Sequence, residues 1–522
     1  MTTSNTEAMS FQEVGSSPAE KPRYSYDDTT LVRQTRTRRL FSTEQLFALN
    51  LAMYGTWYGV GGNVYFALQN GGPQGWLFGY VIVSLGVGCQ VASFAEMASV
   101  RPVAGAQYYW TYHYAPPRTR RFLTWMQGWT TWLGYVSMLA SYFNAGIITL
   151  QGAINVAHTD WTPTGWQTTL MIMTYLVLIA AVNLWAFWAV PWFELLAGVV
   201  NVVLFLVVLV VLWVVAPRNS LDIFLTKSSV SGWGDFVSFN VGSLATIYLF
   251  IAFEGTVHLG EETRNPKRAV PAGMFWGYVA NLVMGFIMVI TFGIAMPDLD
   301  EILSSISPIS TILNHATSSP TATVAMVSAM MLGNFAGAIG NLSSVSRLTW
   351  AWSRDGGLPR YFAVVDGRTR VPMRAVLGTA AIIAVLALLT LNDRAFIAFG
   401  AITALSALAL YVSYAIALCC VMFARLGGGG GGGGLELGEW NCGGFGLFFN
   451  AAGLLYTVYQ IVWLPFPNLL PVTATNMNYS GPLYVLVIAC ALGYWFLWAR
   501  GHWEGPNTKV VEIVLQRNED AR

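Results

Sequence analysis

Apolar runs of about 20 residues recur along this chain, each long enough to cross a roughly 30 Å hydrocarbon layer as a helix. Twelve can be traced, over 46–68, 76–99, 121–152, 166–188, 191–215, 236–260, 273–296, 321–350, 374–391, 395–424, 446–464 and 481–499. The pattern predicts an all-α integral membrane protein of about 12 transmembrane helices. Composition agrees: only 10% of the residues are charged, where a soluble protein carries about 25%, and 55% are hydrophobic. The narrowest division is at Ala189-Val190-Pro191, which has to serve as the whole turn between the fourth and fifth runs.

Charge tests this division independently, because positively charged loops stay in the cytoplasm. With the N-terminus inside, all 27 basic residues except Arg218, Lys227 and Arg394 fall on the cytoplasmic side. Both termini are therefore expected in the cytoplasm. The net charge of +1 gives no argument for nucleic acid, and the lipid bilayer is the partner that composition demands. Residues 1–45 are polar and read as a disordered cytoplasmic tail. They hold no apolar core followed by a cleavage site, so the first span is the expected targeting signal. A ten-helix transport core would occupy 46–424, a glycine-rich cytoplasmic linker with Gly427 to Gly434 would occupy 425–445, two accessory helices 446–499, and a second cytoplasmic tail 500–522. No stretch has the length and polarity of a soluble catalytic domain. The five histidines are scattered and the five cysteines lack metal or disulfide spacing, so neither an enzyme nor a metal site nor a cofactor is expected. Asn478-Tyr479-Ser480 fits the N-glycosylation pattern on the outer side.

Polar groups at membrane depth are the next signal, since they are expensive there and mark function. Three carboxylates qualify. Glu96, near Arg101, and Glu194, at the start of the fifth span, fit interfacial pairing or helix-end capping. Glu254 stands deeper, in Tyr248-Leu-Phe-Ile-Ala-Phe-Glu-Gly-Thr256, and the glycine beside it suggests backbone that can unwind and leave amides and carbonyls for a substrate or ion. The alternative is a protonated Glu packed between helices. His258, one turn on, fits a structural hydrogen bond, with a proton relay as the other reading. The first span carries a matching interruption, Tyr54-Gly-Thr-Trp-Tyr-Gly-Val-Gly-Gly62, for which close helix packing is the plain alternative. Interruptions in spans one and six point to a five-plus-five inverted repeat with broken helices one and six and a binding site at the midplane.

At these residues the chain resembles fungal members of the amino acid, polyamine and organocation superfamily, in particular the amino acid/choline transporter group with its GABA and choline permeases. The matching stretches are Ser93-Phe-Ala-Glu-Met-Ala-Ser99 with Pro102-Val-Ala-Gly-Ala-Gln-Tyr-Tyr-Trp110, Phe253-Glu-Gly-Thr-Val-His-Leu-Gly-Glu-Glu262, and Ser346-Arg347 through Trp352-Ser-Arg-Asp-Gly-Gly-Leu-Pro359. The resemblance implies a secondary active permease for an amino acid or small amine such as GABA, choline or a polyamine, working by alternating access. It implies that Thr56, Trp57, Tyr58, Gly59 and Gly61, with Phe253, Glu254, Gly255 and Thr256, line the substrate site. Trp57, Tyr58 and Phe253 would offer cation-π faces worth roughly 0.5 to 2 kcal/mol each. A substrate carboxylate would sit on free amides near Gly59 and Gly61. Some relatives place a lysine in span five where others bind sodium, and 192–215 contain none. Ser343 and Ser344 fit either a cation site or polar packing. A proton coupled through Glu254 is preferred to sodium. Arg354 and Asp355 read as an inner gate exchanging partners with Glu261 or Glu262, against a static surface pair worth about 0 to 1 kcal/mol. A transporter-like nutrient sensor without significant flux is the functional alternative. The plasma membrane is the expected location, with the vacuole or another internal membrane left open.

Overall fold

The computed structural model describes residues 37–391, 395–428 and 435–508. The expected disordered tail over 1–36, the glycines at 429–434 and the last part of the C-terminal tail, 509–522, lie outside the described residues. Eleven helices among the described residues are long and apolar enough to cross a membrane. The first run is absent from that set because it is interrupted: a helix over Thr43–Tyr54 ends at Gly55 and a shorter one over Thr56–Gly62 continues it. With it the protein has about 12 spans.

Local chemistry sets the helix ends. Ser42 and Gln45 form a reciprocal cap at the start of span one, with Ser42 N donating to Gln45 Oε1 at 2.9 Å. Pro191, Pro266, Pro308 and Pro320 each stand in the first turn of a helix, where a missing N–H costs nothing. The division at Pro191 is a short 3₁₀ turn, Phe187–Ala189, between helices Gly165–Trp185 and Val190–Val215. Span two is the part of Val64–Val100 beyond a kink at Gly72-Pro73.

Spans one, six and eight form the centre. The sixth runs as Asp235–Gly242 and Leu244–Phe250, loses helical geometry at Ile251, and resumes as a 3₁₀ helix over Gly255–Glu262. Span three (Arg120–Ala157), span seven (Pro266–Ala295), span eight (Pro320–Arg354) and span ten (Ala395–Phe423) surround these pieces. Span five carries Leu196, Val199, Val203, Leu206, Val210 and Val214 on its outer side, all exposed, a surface that only lipid can cover. Spans eleven (Gly446–Trp463) and twelve (Ser480–Tyr494) pack from outside, through Gln90 Nε2 donating to Thr457 Oγ1 at 2.7 Å and Trp125 Nε1 donating to the Ala491 carbonyl at 3.0 Å.

Two loop expectations meet specific geometry. Beyond the glycine run the chain docks on the end of span two, where Glu436 pairs with Arg101 at 3.0 Å and Cys442 N donates to Glu96 Oε1 at 3.1 Å. Glu96 also pairs with Arg425. Asn478 is engaged internally: its Nδ2, the atom a glycan would take, donates to the carbonyls of Leu464 and Phe466 at 2.8 and 3.0 Å.

Spans one and eight approach closely at Gly337, where a Cβ would lie 2.3 Å from the Ala52 carbonyl oxygen. Gly337→Ala is expected to destabilise the protein by about 1–3 kcal/mol. An earlier midpoint in thermal melts of detergent-solubilised protein checks this, and an unchanged midpoint would contradict the contact.

Candidate functional site

The two interruptions lie side by side in the centre of the bundle. In span one Gly55 adopts φ +54°, ψ +33°, a left-handed geometry that glycine enters without steric cost. The backbone groups around it are splinted by side chains of neighbouring spans. Thr56 N donates to Asn281 Oδ1 at 3.3 Å, and Asn341 Nδ2 donates to the Met53 carbonyl at 3.3 Å. In span six the left-handed residue is Ala252, φ +59°, two positions before Glu254. Ala252 N donates to the Tyr414 hydroxyl at 2.9 Å, and Ser344 Oγ donates to the Gly255 carbonyl at 2.8 Å.

Between the breaks is a cavity of about 110 Å³. Spans three and eight and the short helix Pro308–Thr317 complete its walls. Tyr54, Tyr58, Tyr142 and Tyr248 supply aromatic surface, and Asn50, Asn334 and Asn341 supply amides. Among the described residues, no side chain lining it carries a charge.

Of the residues expected to line a substrate site, Tyr58, Gly59 and Thr256 line this cavity. Trp57 turns away, buried against span five, with its indole N–H on Asn201 Oδ1 at 2.6 Å. Phe253 is wedged between Phe94 and Tyr414, with ring centroids 5.1 and 5.0 Å apart. Trp57 and Phe253, two of the three rings expected to face a cation, thus lie outside the cavity wall, which Tyr54, Tyr142 and Tyr248 share with Tyr58. Tyr54, beside the Gly55 break, had a signal in the sequence; Tyr142, inside the uninterrupted span three, had none. Gly59 and Gly61 lie within the helix Thr56–Gly62, and Gly59 N is satisfied by the Gly55 carbonyl at 2.9 Å, so the open point of span one is at Gly55. Thr56 is fully buried beside that point, and Gly255 packs against Met53 and Ser344.

Glu254 sits behind the cavity wall, fully buried. Gln107 Nε2 donates to its Oε1, and the Tyr414 hydroxyl donates to its Oε2 at 2.8 Å. Gln107 belongs to the short helix Ala106–Tyr114 and falls within the motif that carries the family resemblance. His258 Nδ1 donates to the Ala104 carbonyl at 2.7 Å, the structural bond read as one option, and its ring meets Tyr135 edge-on at 4.7 Å.

Further toward the face that carries most of the basic residues, two ion pairs close the centre. Arg354 Nη1 reaches both oxygens of Glu261 at 3.1 and 3.2 Å, and Arg347 Nε reaches Glu262 Oε1 at 3.2 Å. All four side chains are at most 4% exposed, so the surface-pair reading does not describe them. Arg354 pairs with Glu261 alone of the two glutamates, because Glu262 is held by Arg347, whose guanidinium lies 4.0 Å from the Phe187 ring centroid. Asp355 accepts from the Tyr108 hydroxyl at 2.7 Å and from Asn507 N at 3.2 Å, and its carbonyl accepts from the Trp503 indole at 2.6 Å. Burial lifts the Asp355 carboxyl above its ordinary range, and Arg354 and the Tyr108 hydroxyl pull it back. The segment before span one joins the same closure: Leu40 N and Phe41 N donate to the Glu262 carbonyl at 2.8 and 3.1 Å.

A small uncharged cavity between two broken helices, sealed on one side by buried ion pairs, describes a membrane carrier, and residues 42–490 match the amino acid permease family. The chain belongs to the amino acid permease family. It is similar to a choline transporter of Saccharomyces cerevisiae, 26% identical over 470 residues that cover 88% of this chain and 82% of the relative. Amino-acid permease 2 of Neurospora crassa is 26% identical over 486 residues, covering 90% of this chain and 87% of that protein. A polyamine transporter of Saccharomyces cerevisiae is 24% identical over 508 residues, 93% of this chain and 79% of the relative. Membership makes the protein a multi-pass membrane transporter, in a family of permeases and not of enzymes.

Within this permease the buried pairs set a stability test. Arg347→Leu leaves Glu262 buried without its cation and is expected to cost about 3–5 kcal/mol, whereas Arg347→Met together with Glu262→Leu recovers most of that loss. Thermal midpoints of the purified single and double variants measure it; a double variant as unstable as the single would refute the pairing argument.

Proposed function

We propose that the chain is a secondary active transporter of an amine-bearing amino acid or a small amine such as GABA, choline or a polyamine, coupled to protons and working by alternating access. The observation that carries this reading is the tyrosine-walled, uncharged cavity with Glu254 directly behind it. Tyrosine faces attract an ammonium or quaternary ammonium group at roughly 0.5–2 kcal/mol each. The polar edge of Asn50, Asn334 and Asn341 suits the other end of such a molecule. The cavity lies on the far side of Glu254 from the ion pairs, so the arrangement is that of a carrier closed at its basic face. With that face in the cytoplasm, as the charge bias favours, this state is the one closed to the cytoplasm, and the proton gradient of the coupled reading sets the direction as uptake.

Coupling runs through Glu254 in this reading. Gln107 and Tyr414 donate to its carboxylate, and both belong to elements outside the broken spans. A proton on Glu254 removes an acceptor from one of these donors and loosens the tie between the cavity and the basic face. Proton coupling is preferred to sodium because Glu254 offers a titratable carboxyl, fully buried beside the break of span six. A transporter-like sensor is the second reading, favoured by the docking of Trp503 and Asn507 on Asp355, which gives the C-terminal segment a direct contact with the closure. It predicts ligand-dependent signalling without flux.

Uptake of labelled choline, GABA, basic amino acids and polyamines in a permease-deficient host across a pH series decides the substrate. Glu254→Gln is expected to lower proton-dependent uptake at least about tenfold with surface expression intact, the scale of a lost charge-assisted interaction. Uptake at the unsubstituted level would remove Glu254 from the mechanism.

A further inference from the structure

Glu194 is a buried carboxyl that the transport reading leaves unused. It stands in the fifth span on the buried stripe of Pro191, Gly198, Asn201 and Phe205. That stripe faces span one. A Cβ at Gly198 would lie 2.7 Å from the Ala48 Cβ, Asn201 takes the Trp57 indole at 2.6 Å, and Phe205 meets the Trp57 ring edge-on at 6.1 Å. Glu194 is 0% exposed, and neither of its carboxylate oxygens has a hydrogen-bond partner among the described residues. The interfacial pairing or capping expected from the sequence is therefore not what this side chain does. Span five's own first-turn amides do not reach it.

The groups on the elements packed against this stripe offer no counter-charge. From span one come Tyr54 and Tyr58, both in the cavity wall; Tyr58 is close enough to feel the charge of Glu194. Span eight brings Arg347 and Arg354, which are committed to Glu262 and Glu261. Span seven brings Tyr278, bonded to the Ser84 carbonyl, and Lys267 and Arg268 in its first turn at the basic face. His315 lies in the last turn of Pro308–Thr317, beyond the cavity. An ionised carboxylate without donor or cation at this depth would cost many kcal/mol, so the site is completed by a monocation.

We propose that Glu194 is a second proton site of the transport cycle, loaded while span five is closed against span one and emptied when the two separate and water reaches the carboxyl. The inference rests on the proton-coupled reading and adds to it a site separate from Glu254. The contrast between the two carboxyls supports the division: two donors converge on Glu254 and none on Glu194. Tyr58, shared between the cavity wall and the surroundings of Glu194, links occupancy of one site to the other.

The test uses the full-length protein in proteoliposomes. The pH gradient that just balances a fixed substrate gradient gives the number of protons moved per substrate, and counterflow measures exchange without net proton movement. Glu194→Gln keeps the neutral form permanently. It is expected to move one proton fewer per substrate, with counterflow within about twofold of the unsubstituted protein. An unchanged proton number overturns the proposal, as does a sodium dependence that the substitution abolishes while the proton number stays. If the unsubstituted protein moves no protons with substrate, the coupling reading itself fails, and that outcome is distinct from an unchanged Glu194→Gln. A second measurement avoids the variant altogether. Dicyclohexylcarbodiimide adds to protonated carboxyls in apolar surroundings, and peptide mass spectrometry is expected to find the adduct on Glu194, declining as the pH is raised. Protein that stays unlabelled at Glu194 at every pH contradicts the assignment.

Discussion

Hydrocarbon offers no hydrogen bonds, so a helix that opens at membrane depth must have its freed amides and carbonyls satisfied by other spans. In this permease the opening at Gly55 is tied to Asn281 of span seven and Asn341 of span eight, and the opening at Ala252 to Tyr414 of span ten and Ser344 of span eight. Each buried group left unsatisfied would cost about 1–3 kcal/mol. Four such ties hold the breaks open in a defined shape and fix the positions of three surrounding helices. The cavity is the space those ties leave. Among the described residues its walls carry no charged side chain, and the Asn50 amide oxygen and the hydroxyls of Tyr54, Tyr58, Tyr248 and Thr256 face it without a hydrogen-bond partner.

The closure at the basic face follows a different logic. Buried ion pairs add little net stability, since desolvation offsets most of their attraction, but they discriminate sharply between arrangements in which both partners meet and those in which one is stranded. Glu261 and Glu262 are adjacent in the 3₁₀ segment of span six, and Arg354 and Arg347 stand two turns apart on span eight, so the two pairs lie side by side between the same two spans. Leu40 and Phe41 join from before span one and Asp355 brings in the C-terminal Trp503 and Asn507. Elements from both ends of the chain are thus locked by one set of contacts. On the proposed alternating-access cycle, such a set of contacts would act as a two-state closure and not as a continuously deformable one.

Much of this was legible in the sequence where a property depends on depth alone. Apolar run length placed the spans, the basic residues grouped the loops, and the glycines marked the break of span one. The break of span six was legible to within a few residues, although its left-handed residue is Ala252 and not Gly255. What the sequence did not carry is azimuth. A helix interrupted at Gly55 resumes with a new rotation, so the step from Tyr54 to Trp57 cannot be followed with a 3.6-residue period. Trp57 accordingly faces Asn201 where Tyr54 and Tyr58 face the cavity. Phe253, just after the left-handed Ala252, packs on Phe94 and Tyr414 and not in the cavity wall for the same reason. Tyr142 had no signal, because a tyrosine in an unbroken span looks the same whether it faces lipid, a neighbour or a cavity. Glu194 shows the limit most clearly: its position near a helix start suggested an interfacial partner, yet it is buried in the stripe of span five that faces span one, and neither oxygen is bonded among the described residues.

The placement of charge ties these observations together. A carboxylate inside the cavity would attract a cationic substrate equally in every state of the carrier, which tightens binding without favouring movement, since a ligand shifts an equilibrium only through its difference in affinity between states. Glu254 stands instead one layer back, bonded to Gln107 and Tyr414 on elements that adjoin the closure. At an effective dielectric of about 20, a charge about 4 Å away contributes roughly 4 kcal/mol and one twice as far half of that, so a shift of this layer by about 4 Å would change the attraction felt in the cavity by more than a factor of ten in affinity. On the proposed cycle, a neutral wall with its charges behind it is what makes substrate binding sensitive to the state of the gate.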